Sequence, residues 1–321
     1  LIWYNEPSNR KRGYIRMKYA VGVDIGGTNS RIALVDENMN IVERTQFRTD
    51  AHDPIPTIVR LSEALKDMAG DKELVGMGVS CPGPLDLING KVLNTPNLHD
   101  SWQDFPIAGE IEKVTGIPTY LENDANLAAL AEAVVGEGRD YNYVQFLTIS
   151  TGLGSGQVIN HKIYQGAHGY GHEVAYAPLW RNGPQHGKIY PGGVEAICSG
   201  TAITERAKKA GLEVQHAGEV NDMAKQGHEA AMEIMDDAKE YLANFIAILI
   251  AITDPEIVIL GGSVALKIPG FVQEVEDRVK EKVLTELKPY VKVRPSTLNE
   301  DSGLLGAACL AFEHAKDKEA A

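Results

Sequence analysis

Cysteine is scarce in this chain. The three present, Cys81, Cys198 and Cys309, lie so far apart in sequence that neither a disulfide framework nor a CxxC metal site is suggested, and a reducing cytoplasm is the expected setting. Long apolar runs are also missing: the longest, FIAILIAI at 245–252, is too short to cross a bilayer. The opening LIWYNEPSNRKRGYIRMKYA has no apolar core and no small-residue cleavage site, so it does not read as a secretory signal. Met17 directly precedes the first expected strand, and residues 1–17 are expected to be an extension outside the fold. Positive charge is deficient too, with 31 Lys and Arg against 44 Asp and Glu, a net charge of −13. That balance argues against nucleic acid as the main partner, so an anionic ligand would have to be held by backbone dipoles or a metal ion. The remaining composition, 44% hydrophobic and 23% charged over 321 residues, is that of a globular protein with room for two lobes. Neither a linker nor a low-complexity segment divides the chain, so the lobes are expected to pack together around a hinge.

What the chain does contain is a repeated unit. VGVDIGGTNSRIALVDENMNIV (residues 21–42) sets two glycines and a threonine between two β-branched, aliphatic runs. Strands are expected over 19–23, 31–35 and 41–47, with a turn at 36–40. The spacing of Ile58, Leu61, Leu65 and Met68 predicts a helix over 57–68. A strand over 74–80 stops at CPGPLD, where Pro82, Gly83 and Pro84 forbid continuation. A short helix over 107–115 and a strand over 119–122 lead to an Ala- and Leu-rich helix ended by Gly136. Then YVQFLTISTGLGSGQVINHKIYQG (143–166) repeats strand, Gly/Thr turn, strand, turn, which reads as an internal duplication. The remainder turns helical: an amphipathic region over 228–253, a buried strand over 256–260 ending in GGS, a helix over 271–283 and a closing helix over 302–317. This mixture argues for an α/β architecture, with two equivalent lobes each offering a glycine turn to a shared cleft.

The glycine turns suit phosphate. Gly26 and Gly27 let the backbone adopt positive φ and approach a ligand closely, and the amides of such a turn form an anion-binding concavity. Thr28 and Asn29 add side-chain donors. Asp24 cannot bind phosphate directly, because like charges repel. It suits Mg²⁺ held through water, with the ion bridging to the phosphates. The second turn, STGLGSG, offers Ser150, Thr151, Gly152, Gly154 and Gly156. A strand rather than a helix follows it, which argues against a dinucleotide fingerprint. Either turn alone would be an ordinary structural hairpin; together with Gly261 and Gly262 in LGGS they read as a nucleotide-phosphate set.

Taken in order, DIGGT, GVSCPGPLD, PNL, LENDAN, STGLGSG, GAHGYGHE, GGVEAICSGTAI, ILGGS and GLLGAA resemble the ROK family of sugar kinases and repressors, within the actin-like ATPase superfamily. The resemblance covers Lys18 to about Asp317. It implies a two-lobed, ribonuclease H-like fold with a duplicated βββαβα-type core: a small lobe over 18–122, a large lobe over 123–321, and the closing helix packing back on the small lobe. It also implies ATP- and Mg²⁺-dependent phosphorylation of a hexose, generally at O6, and a homodimer. Asp124 matches the family's catalytic aspartate, which must orient the sugar hydroxyl and take its proton; the dipole of the helix starting there is expected to keep it ionised. Asn97 and Asn123 match residues that hydrogen-bond the sugar, although Asn also favours turns in its own right. Gly83 matches a position where backbone lies against the sugar, and Glu173 and Glu195 match two glutamates that grip hydroxyl pairs.

The chain departs from the family pattern in one region. Most members carry C-x-C-G-x-x-G-C before the second glutamate, completed as a zinc site by a histidine after the first. Here HGKIYPGGVE puts His186, Lys188 and Gly193 at cysteine positions and Tyr176 at the histidine position. Lysine and glycine do not replace thiolates, so no structural zinc of that kind is expected, and Tyr176 is left as a possible sugar contact. Some N-acetylmannosamine kinases of the family also lack the cysteine set. The leading expectation is therefore a glucokinase-like hexose 6-kinase, with an N-acetylmannosamine or other N-acetylhexosamine kinase as the alternative. The intact DIGGT and ENDAN motifs, the acidic charge and the short stretch ahead of Lys18 argue against a DNA-binding repressor or other non-catalytic regulator.

Overall fold

The computed structural model describes residues 17–95, 98–298 and 301–320. Residues 1–16 of the expected extension, like Pro96 and Asn97, lie outside them.

The chain opens with an antiparallel meander, β1 (Lys18–Ile25), β2 (Asn29–Asp36) and β3 (Ile41–Arg48). β1 is buried on both faces, and its alternation sorts them. Val21, Val23 and Ile25 enter one core cluster, whereas Ala20 enters another, as the two-residue period requires. Helix α1 (Pro54–Ala69) follows. It starts three residues earlier than its apolar spacing indicates because Asp53 caps it, its carboxylate accepting from Ile55 N at 2.9 Å. Pro54 and Pro56 are harmless in a first turn, where the N–H groups have no helical partner. Strand β4 (Glu73–Cys81), the short hairpin β5 (Leu85–Asp86) and β6 (Lys91–Val92), helix α2 (Ile107–Thr115) and strand β7 (Thr119–Asn123) complete the first sheet's chain. Helix α3 (Asp124–Val134) leaves it.

The second half repeats this order with a larger helical insertion. β8 (Tyr143–Ile149), β9 (Leu153–Ile159) and β10 (Lys162–Ile163) form its meander. Helices α4 (Val194–Cys198), α5 (Gly200–Lys209), α6 (Ala217–Lys225) and α7 (Glu229–Thr253) precede β11 (Ile257–Gly261). Helices α8 (Gly262–Lys267) and α9 (Phe271–Lys282), strand β12 (Val293–Pro295) and helix α10 (Ser302–Ala320) close the chain. The sheets run β3-β2-β1-β4-β7 and β10-β9-β8-β11-β12. Both meanders are antiparallel, and in both the two later strands join parallel. The duplication read from the glycine turns is thus a duplication of topology.

The last helix of each half crosses to the other sheet. α3 packs on β8 and β9, α10 packs on β1 and β4, and the two helices pack on each other. Glycine makes the crossing possible. A Cβ on Gly78 would fall 1.9 Å from the Ala307 carbonyl oxygen, one on Gly22 2.1 Å from that of Leu304, and one on Gly306 2.0 Å from that of Leu127. Real carbon atoms never approach oxygen so closely, so no side chain larger than hydrogen fits there. The crossed helices carry the start of α3, and Asp124 with it, to the junction between the sheets.

Candidate active site

Strand register and helix starts bring some of the sequence-predicted residues to that junction. The first turn is tight, with Gly26 N donating to Asn29 O at 3.1 Å, and Thr28 O accepts from Thr49 N at 2.9 Å. Thr28 and Asn29 are exposed. Asp24 faces Arg31 across the β1–β2 ladder. Arg31 donates to Asp24 Oδ2 through Nη2 at 2.6 Å and Nε at 3.2 Å, a forked charge-assisted pair that the sequence reading missed.

Asn123 ends β7 and Asp124 starts α3. The amide of Ala125 donates to Asn123 Oδ1 at 2.9 Å and to Asp124 Oδ1 at 2.8 Å, so Asn123 caps the helix while its amide nitrogen stays available. A Cβ on Gly83 would lie 3.2 Å from Asn123 Nδ2 and 3.7 Å from Glu173 Oε1. Three residues distant in sequence are therefore within one side chain's width of each other. Asp124 and Glu173 are exposed, yet neighbouring protein groups crowd their carboxyls.

Enclosure raises the pKa of both carboxyls; the charge of Asp24 adds to the effect on Asp124, and Asp124 and Glu122 add to that on Glu173. For Asp124 the loss of water outweighs the opposing pull of the Ala125 N–H at the start of α3, because one backbone donor returns less to the charged form than desolvation removes. The result is a carboxylate of raised basicity.

Next to Asn123 in sequence lies Glu122, fully buried. It accepts from Asn123 N at 2.8 Å, Asn126 Nδ2 at 2.9 Å and Gln165 Nε2 at 2.6 Å, which ties the start of α3 to the loop leading to Glu173. Its burial is not visible in sequence, where a glutamate at a strand end reads as a surface group.

The second turn meets a different neighbourhood. Glu195, at the start of α4, accepts from Leu153 N at 2.7 Å, and its Oε2 lies 2.8 Å from where a Cβ on Gly152 would be, so it supports this turn directly. Gly200 N donates to Ser150 O at 2.7 Å, and Ser150 Oγ is 3.2 Å from Ser263 Oγ. Gly154 turns its Cβ position toward Ala125 of α3, and Gly262 has φ +84° beneath the Ile149 carbonyl, which gives both glycines a packing reason as well. Ser150, Thr151 and Ser263 border a cavity of about 700 Å³ that runs along α5 toward the start of α6. Sequence reading missed the cavity's α5 wall, because Thr201, Thr204 and Lys208 look like an ordinary solvated helix face.

Tyr176 is 54% exposed. The region of the family's zinc loop is held by other means. Trp180 stacks on Tyr241 with centroids 4.8 Å apart, Arg206 lies over the same indole at 5.7 Å and pairs with Asp237, and Gly192 N donates to Pro184 O at 2.8 Å. His172 bonds to Gln157 at 3.1 Å and His186 to Glu205 at 2.9 Å, so the two do not converge. Among the described residues no group of three or more His, Cys, Asp or Glu is placed to hold a metal, and no helix among them is long and apolar enough to cross a membrane.

Two sheets of one strand order, with crossed helices, form the actin-like ATPase fold. Within it, the chain belongs to the ROK family, whose profile matches residues 20–314. It is similar to the glucokinase of Thermotoga maritima, 31% identical over 309 residues that cover 91% of this chain and 97% of that one. It is also similar to the N-acetylmannosamine kinase of Salmonella typhi, 32% identical over 301 residues that cover 91% and 97%. Among solved structures, the ROK hexokinase from Thermus thermophilus matches with a TM-score of 0.85 at 30% identity, covering 93% of this chain and 99% of that one.

Proposed function

We propose that the protein is an ATP-dependent hexose kinase, transferring the γ-phosphoryl group to the 6-hydroxyl of a hexose, with glucose as the leading substrate. The observation that carries this reading is Asp124: an accessible, enclosed carboxylate of raised pKa at the meeting point of the two sheets. Its basicity suits a group that takes a proton from a sugar hydroxyl. Gly83, Asn123 and Glu173 supply a backbone edge, an amide donor and a carboxylate acceptor for the sugar, and Glu195 would hold the sugar and the second turn together. Asn97, outside the described residues, and Tyr176 stay in the proposal on the family resemblance alone.

The reaction balances simply. As the O6 proton moves to Asp124, O6 bonds to the γ-phosphorus, the bond to the β–γ bridging oxygen breaks, and ADP leaves. Such transfer is mainly positioning and charge stabilisation. Gly26, Gly27, Thr28 and Asn29 are read as holding phosphate from one side, and Thr151, Gly152, Gly154, Gly261 and Gly262 from the other. Mg²⁺ fits Asp24: the Arg31 bonds to this carboxylate go to Oδ2, and one carboxylate with water and phosphates suffices for this ion. When bound, it would neutralise charge on the β- and γ-phosphates.

An N-acetylmannosamine 6-kinase is the second reading, favoured by the absent cysteine set and by the Salmonella relative. A coupled ADP-release assay with ATP and Mg²⁺ across hexoses and N-acetylhexosamines separates the two. No sugar-dependent ADP release with any of them would remove the kinase reading. The same proposal includes a cytoplasmic location, consistent with three buried free thiols, and a homodimer, which light scattering tests. It also includes two lobes, 18–122 and 123–321, closing over the sugar; an unchanged radius of gyration on adding hexose and ATP analogue would count against closure.

A further inference from the structure

The cavity beside the second glycine turn holds a carboxylate that phosphoryl transfer does not use. α5 starts where that turn ends, with Gly200 N bonded to Ser150 O at 2.7 Å. From there Thr201, Thr204, Glu205 and Lys208 line the cavity, the i, i+3, i+4, i+7 face of the helix. At the helical rise per residue, Glu205 lies about 7.5 Å along the axis from Gly200, roughly a turn and a half beyond the phosphate end. Its carboxylate is fixed from outside the cavity: His186 Nδ1 lies 2.9 Å from Glu205 Oε2. His186 belongs to the loop that replaces the family's zinc site, and it is largely buried. The other carboxylate on the wall, Asp222 of α6, has no such partner among the described residues to orient it in advance.

We propose that Glu205 recognises the ribose of the nucleotide, accepting hydrogen bonds from its 2′- and 3′-hydroxyls, and that His186 is a positioning residue that holds Glu205 for this. The proposal rests on the nucleotide reading of the cavity. An ionised carboxylate is an acceptor only, with lone pairs for both members of a vicinal diol, and acidic groups take the ribose 2′-hydroxyl in dinucleotide-binding folds for the same reason. The distance from the turn puts the charge beside the uncharged sugar rather than the phosphates. Lys208, one turn further on, and Lys267 of α8, on the same cavity wall, offset it. The loop that has lost its thiolates thereby gains a part in nucleotide selection.

Titration calorimetry with ATP, 2′-deoxy-ATP and 3′-deoxy-ATP tests this on the wild-type protein and on Glu205→Ala, Glu205→Gln and His186→Ala. The wild type is expected to bind ATP about tenfold or more tightly than either deoxy nucleotide, the worth of a hydrogen bond to a charged group. Glu205→Ala should bind all three alike, and Glu205→Gln, which keeps the shape and one acceptor, should give a ratio between these limits. In His186→Ala the ratio should fall while hexose affinity holds. ATP bound by Glu205→Ala with the wild-type ratio would overturn the ribose assignment, and an unchanged ratio in His186→Ala would remove the positioning role. A wild type that binds none of the three nucleotides would instead overturn the nucleotide reading of the cavity.

Discussion

The two halves share a scaffold and divide the chemistry. Each has a five-stranded sheet of the same order, a glycine turn after its first strand and a final helix that crosses to the other half. The first half has an aspartate just ahead of its turn, Asp24, locked to Arg31, and an aspartate at the start of its crossing helix, Asp124. At the corresponding places the second half has Thr148 and Ser302, and its turn is held by Gly200 and Glu195 instead. Duplication accounts for the frame, in which glycines let helices lie on sheets. Divergence put paired acids in one half and a cavity walled by hydroxyls, amides, lysines and two carboxylates in the other. Paired acids suit a cation and a sugar hydroxyl; the cavity suits a nucleotide.

The largest expected effect tests that division. Asp124→Asn should lower kcat by about 10²- to 10⁴-fold, whereas Ser302→Ala, at the equivalent helix start, should stay within about twofold of wild type; steady-state kinetics decide. The Asp124→Asn protein should melt no lower than wild type, since a carboxyl with a raised folded-state pKa is more easily accommodated neutral at pH 7. The raised pKa of Asp124 also sets the acid limb of kcat/KM. The rate needs the carboxylate, so activity should fall as pH drops through a value above the ordinary 3.8 of aspartate; a limb at or below 3.8 would contradict the enclosure described above.

The shared frame predicts a graded pair. Gly78→Ala sets a methyl against the Ala307 carbonyl and should cost about 2–3 kcal/mol in urea unfolding. Gly156→Ala, whose Cβ would be 2.8 Å from the Ala129 methyl and 3.0 Å from the Ala125 carbonyl, should cost less; equal costs would mean that the crossings are looser than these distances indicate. Asp24→Asn should raise the Mg²⁺ concentration for half-maximal rate by about 10- to 100-fold, and a Thr151→Ala change on the other side should leave it unchanged. Smallest is Gly109→Ala in α2, where a Cβ meets nothing within 4 Å. That change should stabilise by about 0.5–1 kcal/mol, measured by the same unfolding.

Much of the frame was legible because its signals are local. β-branched runs broken by glycine mark β1 with β2 and β8 with β9, and the spacing of Ile58, Leu61, Leu65 and Met68 marks α1. Its first turn was missed only because two prolines obscured an Asp53 cap. The division of 194–225 into α4, α5 and α6 was not read, since short helices have too few turns to show a period. The Asp24–Arg31 pair depends on strand register, and the Glu122 network depends on Gln165, which lies 43 residues away along the chain.

By itself, the sequence determined the strands, the duplicated glycine turns and the order of family motifs, because these rest on backbone sterics and on periodicity within a few residues. Only the tertiary structure decided which groups lie side by side. Crossing the two final helices brought Gly83, Asn123 and Glu173 together and put Asp24 near Asp124, and it enclosed Asp124 enough to shift its proton affinity. Enclosure and the mutual repulsion of charges are properties of distance in space, and separation along the chain does not encode them.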